Sequence, residues 1–246
     1  MNKKIALVIT GHFRSHQENF DNLKKFILDN NNVDIFISTW DMNYTGPKRP
    51  DPSQPKLFAI RKFSKDEIYE NLNIYPNIKS IKILESEHAQ DLTYEKFRNL
   101  SSKKWPMGKA VKSCIAWYCV SEGFKLIEAP SNYDILMRFR FDINLLTPIE
   151  FKSNQLVVTP SENRRIFKVR NHFQYGTPSI HNFMTNMYEQ MLSTYNMHKS
   201  WLSEQILDQV LANSKFDVLI DESYTQNINY VLNKYYNEKI QDTGFL

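Results

Sequence analysis

The first forty residues constrain the fold more than any other part of the chain. Ile5-Ala6-Leu7-Val8-Ile9 is an unbroken apolar run of strand length ending in Thr10-Gly11, the pattern of a strand buried on both faces in a parallel sheet. Phe20, Leu23, Phe26 and Ile27 then recur at helical spacing up to a stop at Asn30-Asn31-Asn32, which predicts an amphipathic helix. Val33 to Ser38 repeats the strand pattern, so the chain opens as a β-α-β unit. The expected fold class is α/β, with a mostly parallel central sheet flanked by helices. Ligands of such sheets sit outside the carboxyl ends of the strands. That puts Thr10-Gly11-His12-Phe13-Arg14 and Ser38-Thr39-Trp40-Asp41 at one edge.

Composition agrees with one globular domain. The chain has 246 residues, 41% of them hydrophobic, and its 16 Phe, 13 Tyr and 4 Trp supply enough bulky surface for a core, while six glycines exclude a collagen-like or low-complexity chain. The charge, 31 Lys+Arg against 27 Asp+Glu, gives a net +4 spread along the sequence, short of the concentrated basic field of a nucleic-acid binder. Its densest groups, Lys103-Lys104 and Arg164, Arg165, Lys168 and Arg170, suit a solvated face, one anionic ligand or an acidic membrane surface. Cys114 and Cys119 lack a second pair to complete a zinc site and read as buried thiols of a reducing compartment. The apolar run after Lys3-Lys4 is too short for a signal sequence, and no stretch approaches the ~20 apolar residues of a spanning helix. A cytoplasmic protein is expected.

Further along, Asp41 to Pro55 carries four prolines and is expected to be a long loop. Ser64 with Glu67 makes a capping box for a helix to about Leu72, and Ile78 to Leu84 is a third strand. Glu85 to Trp105 shows only a weak, polar pattern. Met107 to Glu128 suits a long core helix through Val111, Cys114, Ile115, Tyr118, Phe124 and Ile127. Strands are expected at Gln155 to Thr159, Phe167 to Val169 and Phe216 to Ile220. Helices are expected at Ser179 to Tyr195, Leu202 to Ala212 and Tyr224 to Tyr236. No internal repeat or linker interrupts residues 1–246, so they are read as one domain.

Tyr133 to Leu146 is the most informative segment. Its period of two places Ile135, Met137, Phe139, Phe141 and Ile143 on one strand face and Arg138, Arg140, Asp142 and Asn144 on the other. Guanidinium forks match phosphate oxygens, and a carboxylate beside an amide is able to hold Mg²⁺ or Mn²⁺ on a diphosphate. The competing reading is a salt-bridge ladder on a solvated face.

Three segments resemble one family: Ile5 to Arg14, Val33 to Asp41 and Tyr133 to Asp142. They are similar to bacterial glycosyltransferase-like proteins of surface polysaccharide clusters (capsule and lipopolysaccharide). Those chains open with a strand ending in Ser/Thr-Gly-x-x-Arg, continue to Asp-x-Phe-x-x-x-Trp, and carry Arg-x-Arg-x-Asp near the middle. Asn171-His172-Phe173-Gln174-Tyr175-Gly176 resembles a fourth segment, which in relatives often begins with Asp.

The resemblance implies a GT-A-like nucleotide-sugar fold, with residues 1–146 as the donor half and 147–246 as the acceptor-side, C-terminal half. It implies a nucleotide-sugar donor, a glycan or lipid-linked acceptor, and work at the inner membrane face. In relatives a carboxylate, usually within Asp-x-Asp, holds the metal. This chain has Asp142-Ile143-Asn144, so either Asp142 and Asn144 hold a divalent cation (Mn or Mg) or Arg138 and Arg140 replace it as fixed charges on the leaving diphosphate.

Around these, Thr10 and Gly11 allow close backbone approach to a ligand, Gly11 being equally at home in an ordinary turn. Arg14 begins the first helix within reach of a phosphate. Trp40 either stacks on a base or sugar or is packed. Lys109, at a helix start where a lysine opposes the dipole, is compensated by a bound anion or by solvent. For the base that takes the acceptor proton, Glu204 is the first candidate, with helix capping after Ser203 as its alternative, and His172 is the second. No P-loop, Gly-x-Gly-x-x-Gly, His-Glu-x-x-His or Ser-His-Asp order supports a kinase, dehydrogenase or hydrolase. Sugar nucleotidyl or phosphoryl transfer, and a catalytically inactive glycan- or nucleotide-binding protein, are the competing functions.

Overall fold

The computed structural model describes residues 2–12, 16–45, 59–100, 107–153, 155–160, 169–198, 203–221 and 228–230. In chain order the elements are β1 (Lys4–Gly11), α1 (His16–Phe26), β2 (Asn32–Trp40), β3 (Met42–Thr45), β4 (Ala59–Lys62), α2 (Lys65–Leu72), β5 (Ile78–Leu84), α3 (Ser86–Leu100), α4 (Met107–Phe124) and β6 (Ile135–Arg140). There follow β7 (Ile143–Leu145), β8 (Leu156–Pro160), β9 (Val169–Gly176), α5 (His181–Thr185), α6 (Met187–His198), α7 (Ser203–Ala212), β10 (Val218–Ile220) and β11 (Ile228–Tyr230).

Seven strands form one sheet in the order β10-β8-β9-β6-β1-β2-β5. β9 runs antiparallel to its neighbours β6 and β8, and the other pairs are parallel. The fold is therefore α/β with a mostly parallel mixed sheet, as the opening β-α-β unit predicts. Alternation along β1 splits the core into two layers. Ile5, Leu7 and Ile9 meet Leu23 of α1 and Ile68 and Leu72 of α2, together with Met137 and Phe139 of β6. Ala6 and Val8 face Trp117, Val120 and Phe124 of α4, with Met191 of α6 and Ile206 of α7 behind them.

The capping box is present. Glu67 N donates to Ser64 Oγ at 3.2 Å, and Ser64 N donates to Glu67 Oε2 at 2.8 Å. Both cysteines are buried free thiols. Burial pushes the Cys114 thiol upward and the Cys119 thiol to about 11, so both keep their protons. Among the described residues no helix is long and apolar enough to cross a membrane.

Four expectations change. Glu85 to Trp105 contains the helix α3, whose buried residues, among those described, are Ser86, Ala89, Thr93 and Phe97, and whose first residue donates from Ser86 N to Asp41 Oδ1 at 3.0 Å. The expected loop at Asp41 to Pro55 begins as β3, which pairs with β4, and residues 46–58 lie outside the described residues. The single strand expected at Tyr133 to Leu146 breaks at Phe141-Asp142, after which β7 leaves the main sheet to pair with β11. Ile228 to Tyr230, expected within a last helix, are the strand β11, and the rest of that helix falls on residues outside the description.

Candidate functional site

From β1 the chain moves to β2 and β5 on one side, whereas β6 pairs with β1 on the other. A sheet whose order reverses in this way leaves a crevice outside the carboxyl ends of the two strands at the switch. Here those ends are Thr10-Gly11 and Arg140, with Thr10 in register with both Ser38 and Arg140.

Gly11 has φ +107, and a Cβ there would meet no atom within 4 Å. Thr39 Oγ1 donates to its carbonyl at 2.7 Å. The glycine is thus required by backbone conformation rather than by crowding, and it leaves open space at the tip of β1. Gly11→Ala should lower stability by about 1–3 kcal/mol, read as a shift in the urea midpoint with an unchanged slope.

β6 supplies the charged groups, and its two arginines differ. Arg138 is 3% exposed. Its Nε donates to Thr10 Oγ1 at 3.2 Å, its Nη1 donates to Gln174 Oε1 at 3.0 Å, and the guanidinium lies 5.2 Å above the Trp117 ring. Burial and the neighbouring Arg140 lower its pKa to about 9 against the opposing pull of Cys119 and Asp142, which leaves it protonated at neutral pH. Arg140 grips Asp142 in a two-pronged pair, Nε to Oδ1 at 2.8 Å and Nη2 to Oδ2 at 2.6 Å. Two guanidinium groups thus act on one carboxylate at the strand end. The carboxylate side chain is 5% exposed and its arginine 23%, so solvent meets the guanidinium before the carboxylate.

The turn after β6 is held from α1. Asn19 Nδ2 donates to Phe141 O at 2.8 Å, and Asn22 Nδ2 donates to Asn144 Oδ1 at 2.6 Å. Asn144 is therefore tied to α1, while both Asp142 oxygens hold Arg140. These two residues do not fit a divalent-cation site in this arrangement, and among the described residues no three His, Cys, Asp or Glu side chains converge to hold a metal.

Trp40, read from the sequence as either a stacking surface or a packed residue, is 3% exposed. Its ring lies between His12 at 6.3 Å and Tyr118 at 6.5 Å, and it packs with Leu84, Ala89 and Cys119. Of the two readings, its burial fits packing. His12 was not singled out by the sequence, although it directly follows Gly11. Its Nδ1 donates to Met42 O at 2.6 Å, since a carbonyl only accepts, and this fixes the ring at the rim of the switch.

The remaining expected residues are Lys109, His172, Arg14 and Glu204. Lys109 lies in the first turn of α4 and His172 lies on β9, both with side chains outside the described set, and Arg14 lies outside the described residues. Glu204 occupies the first turn of α7 and is half-buried. α7 leads into β10, which is parallel to β8, so its first turn is the end nearer the carboxyl edge. α4 closes over β1 and β2 through Gly123, where a Cβ would come within 2.7 Å of Val8 Cγ1 and 3.3 Å of Thr10 Cγ2. That approach lets Cys119 Sγ donate to Ser38 O at 3.1 Å.

No protein-family model matches the chain, and no curated protein matches it significantly.

Proposed function

We propose that this chain is a GT-A-like glycosyltransferase that moves a sugar from a nucleotide-diphosphate donor to a surface polysaccharide or glycolipid acceptor. The observation that carries the reading is the Arg140–Asp142 pair at the carboxyl end of β6, with Arg138 buried behind it and the open Gly11 backbone on the adjacent strand. Breaking the bond between sugar and diphosphate gathers negative charge on the departing nucleotide. A guanidinium already oriented by a carboxylate meets that charge without reorganising, which is where such groups accelerate reaction most. Thr10 and Gln174 orient Arg138 in the same way. Glu204 is the proposed base for the acceptor hydroxyl, with His172 as second candidate.

The test is product analysis with a panel of nucleotide sugars and a lipid-linked or oligosaccharide acceptor. A glycosyltransferase releases the nucleoside diphosphate, and Arg140→Gln should slow that release by about 10²-fold or more. Release of pyrophosphate would instead identify a nucleotidyltransferase. Failure to consume any donor that binds would identify a binding protein.

A further inference from the structure

The Arg140–Asp142 pair bears on how an anion is held at this edge. A carboxylate that binds a divalent cation must direct lone pairs at it, and it needs further oxygen ligands close by. Both Asp142 oxygens instead accept from one guanidinium, at 2.8 and 2.6 Å. The next oxygen along the chain that suits a cation, Asn144 Oδ1, accepts from Asn22 on α1 at 2.6 Å. A cation entering there would have to break the two-pronged pair and then sit beside two guanidinium groups, one of them buried at 3% exposure. The exposure of the pair points the same way, because its guanidinium is the more accessible partner, 23% against 5%. The carboxylate thus acts as a buried brace, and the arginine is the partner nearer solvent.

We infer that the chain binds a nucleoside diphosphate without a divalent cation, Arg140 taking the phosphate oxygens while Asp142 braces it and Arg138 supplies the buried charge behind. This rests on the donor-binding reading above and specifies the charge carrier of that site. Arg140 keeps its Asp142 contact through Nε and Nη2, and a guanidinium braced in this way exchanges its other contacts for phosphate oxygens without turning. Arg138 stays in place, because Thr10 and Gln174 hold it and the Trp117 ring lies under its guanidinium. It acts through the field and positions no ligand atom itself.

The measurement is calorimetric titration of the full chain with UDP and with GDP, first in excess EDTA and then in excess MnCl₂. Cation-free binding predicts that whichever nucleotide binds does so in EDTA, with a Kd within about threefold of its value in manganese. Binding that appears only with manganese overturns the inference and leaves the donor reading standing. Binding of neither nucleotide in either buffer removes both. Arg140→Gln supplies a second arm. With the guanidinium as charge carrier, this variant weakens nucleotide binding by about tenfold or more in both buffers. If it instead binds normally once manganese is added, Asp142 is acting as a cation ligand and the inference fails. Because the wild-type titration decides alone, a variant that folds poorly does not blunt the test.

Discussion

Trp117→Ala is expected to destabilise the protein by about 3–5 kcal/mol, the range for removing a large buried aromatic side chain. The indole is fully buried and packs within the layer built by α4, α6 and α7. It also lies under the Arg138 guanidinium at 5.2 Å, a contact that is strengthened when the cation is shielded from water. Urea unfolding with matched slopes checks the size of the loss. Trp117→Phe should recover most of it, because an aromatic face still lies beneath the cation. A loss under about 1 kcal/mol for the alanine variant would contradict the packing described.

Arg140→Ala is expected to lower stability by about 2–4 kcal/mol, somewhat under the figure for a fully buried pair because the arginine is partly exposed. The loss comes less from the missing attraction than from the Asp142 carboxylate, 5% exposed within the pair, which loses both of its hydrogen bonds to that guanidinium. The double variant Arg140→Gln with Asp142→Asn should therefore be more stable than Arg140→Ala, since it leaves no buried carboxylate stripped of its guanidinium, while Arg138 keeps its bonds to Thr10 and Gln174. Thermal unfolding of the two variants side by side reads the difference. If the double variant is the less stable of the two, the pair contributes through packing rather than charge.

The parts of the fold that local sequence specifies were legible. The apolar runs of β1 and β2 are buried on both faces and need no partner to be recognised. The Ser64–Glu67 box and the strand at Ile78 to Leu84 are defined by their own residues. α3 was hidden for a physical reason: its described buried residues, Ser86, Ala89, Thr93 and Phe97, are too small an apolar set to register as a hydrophobic stripe, and its cap comes from Asp41, 45 residues upstream. The break after β6 was hidden as well, because Asn19 of α1 takes the Phe141 carbonyl and nothing in the strand's own alternation reveals that. The same alternation did group Arg138, Arg140 and Asp142. It could not separate a buried arginine from one nearer solvent, since Gln174 and Trp117 decide that from elsewhere in the chain. Asn144 was grouped with them by its spacing, and the turn at Asp142 sends it to α1 instead.

The antiparallel strand β9 carries a consequence for biosynthesis. The amide that satisfies Arg138 arrives on β9, after the ribosome has already delivered both strands of the switch and their intervening helices. A nascent chain that has emerged only through β7 already holds Thr10 and Asp142 beside that arginine but lacks the Gln174 acceptor, and a buried donor short of its hydrogen bond is unfavourable by about 1–3 kcal/mol. The amino-terminal half therefore reaches its full hydrogen bonding only when residue 174 is in place.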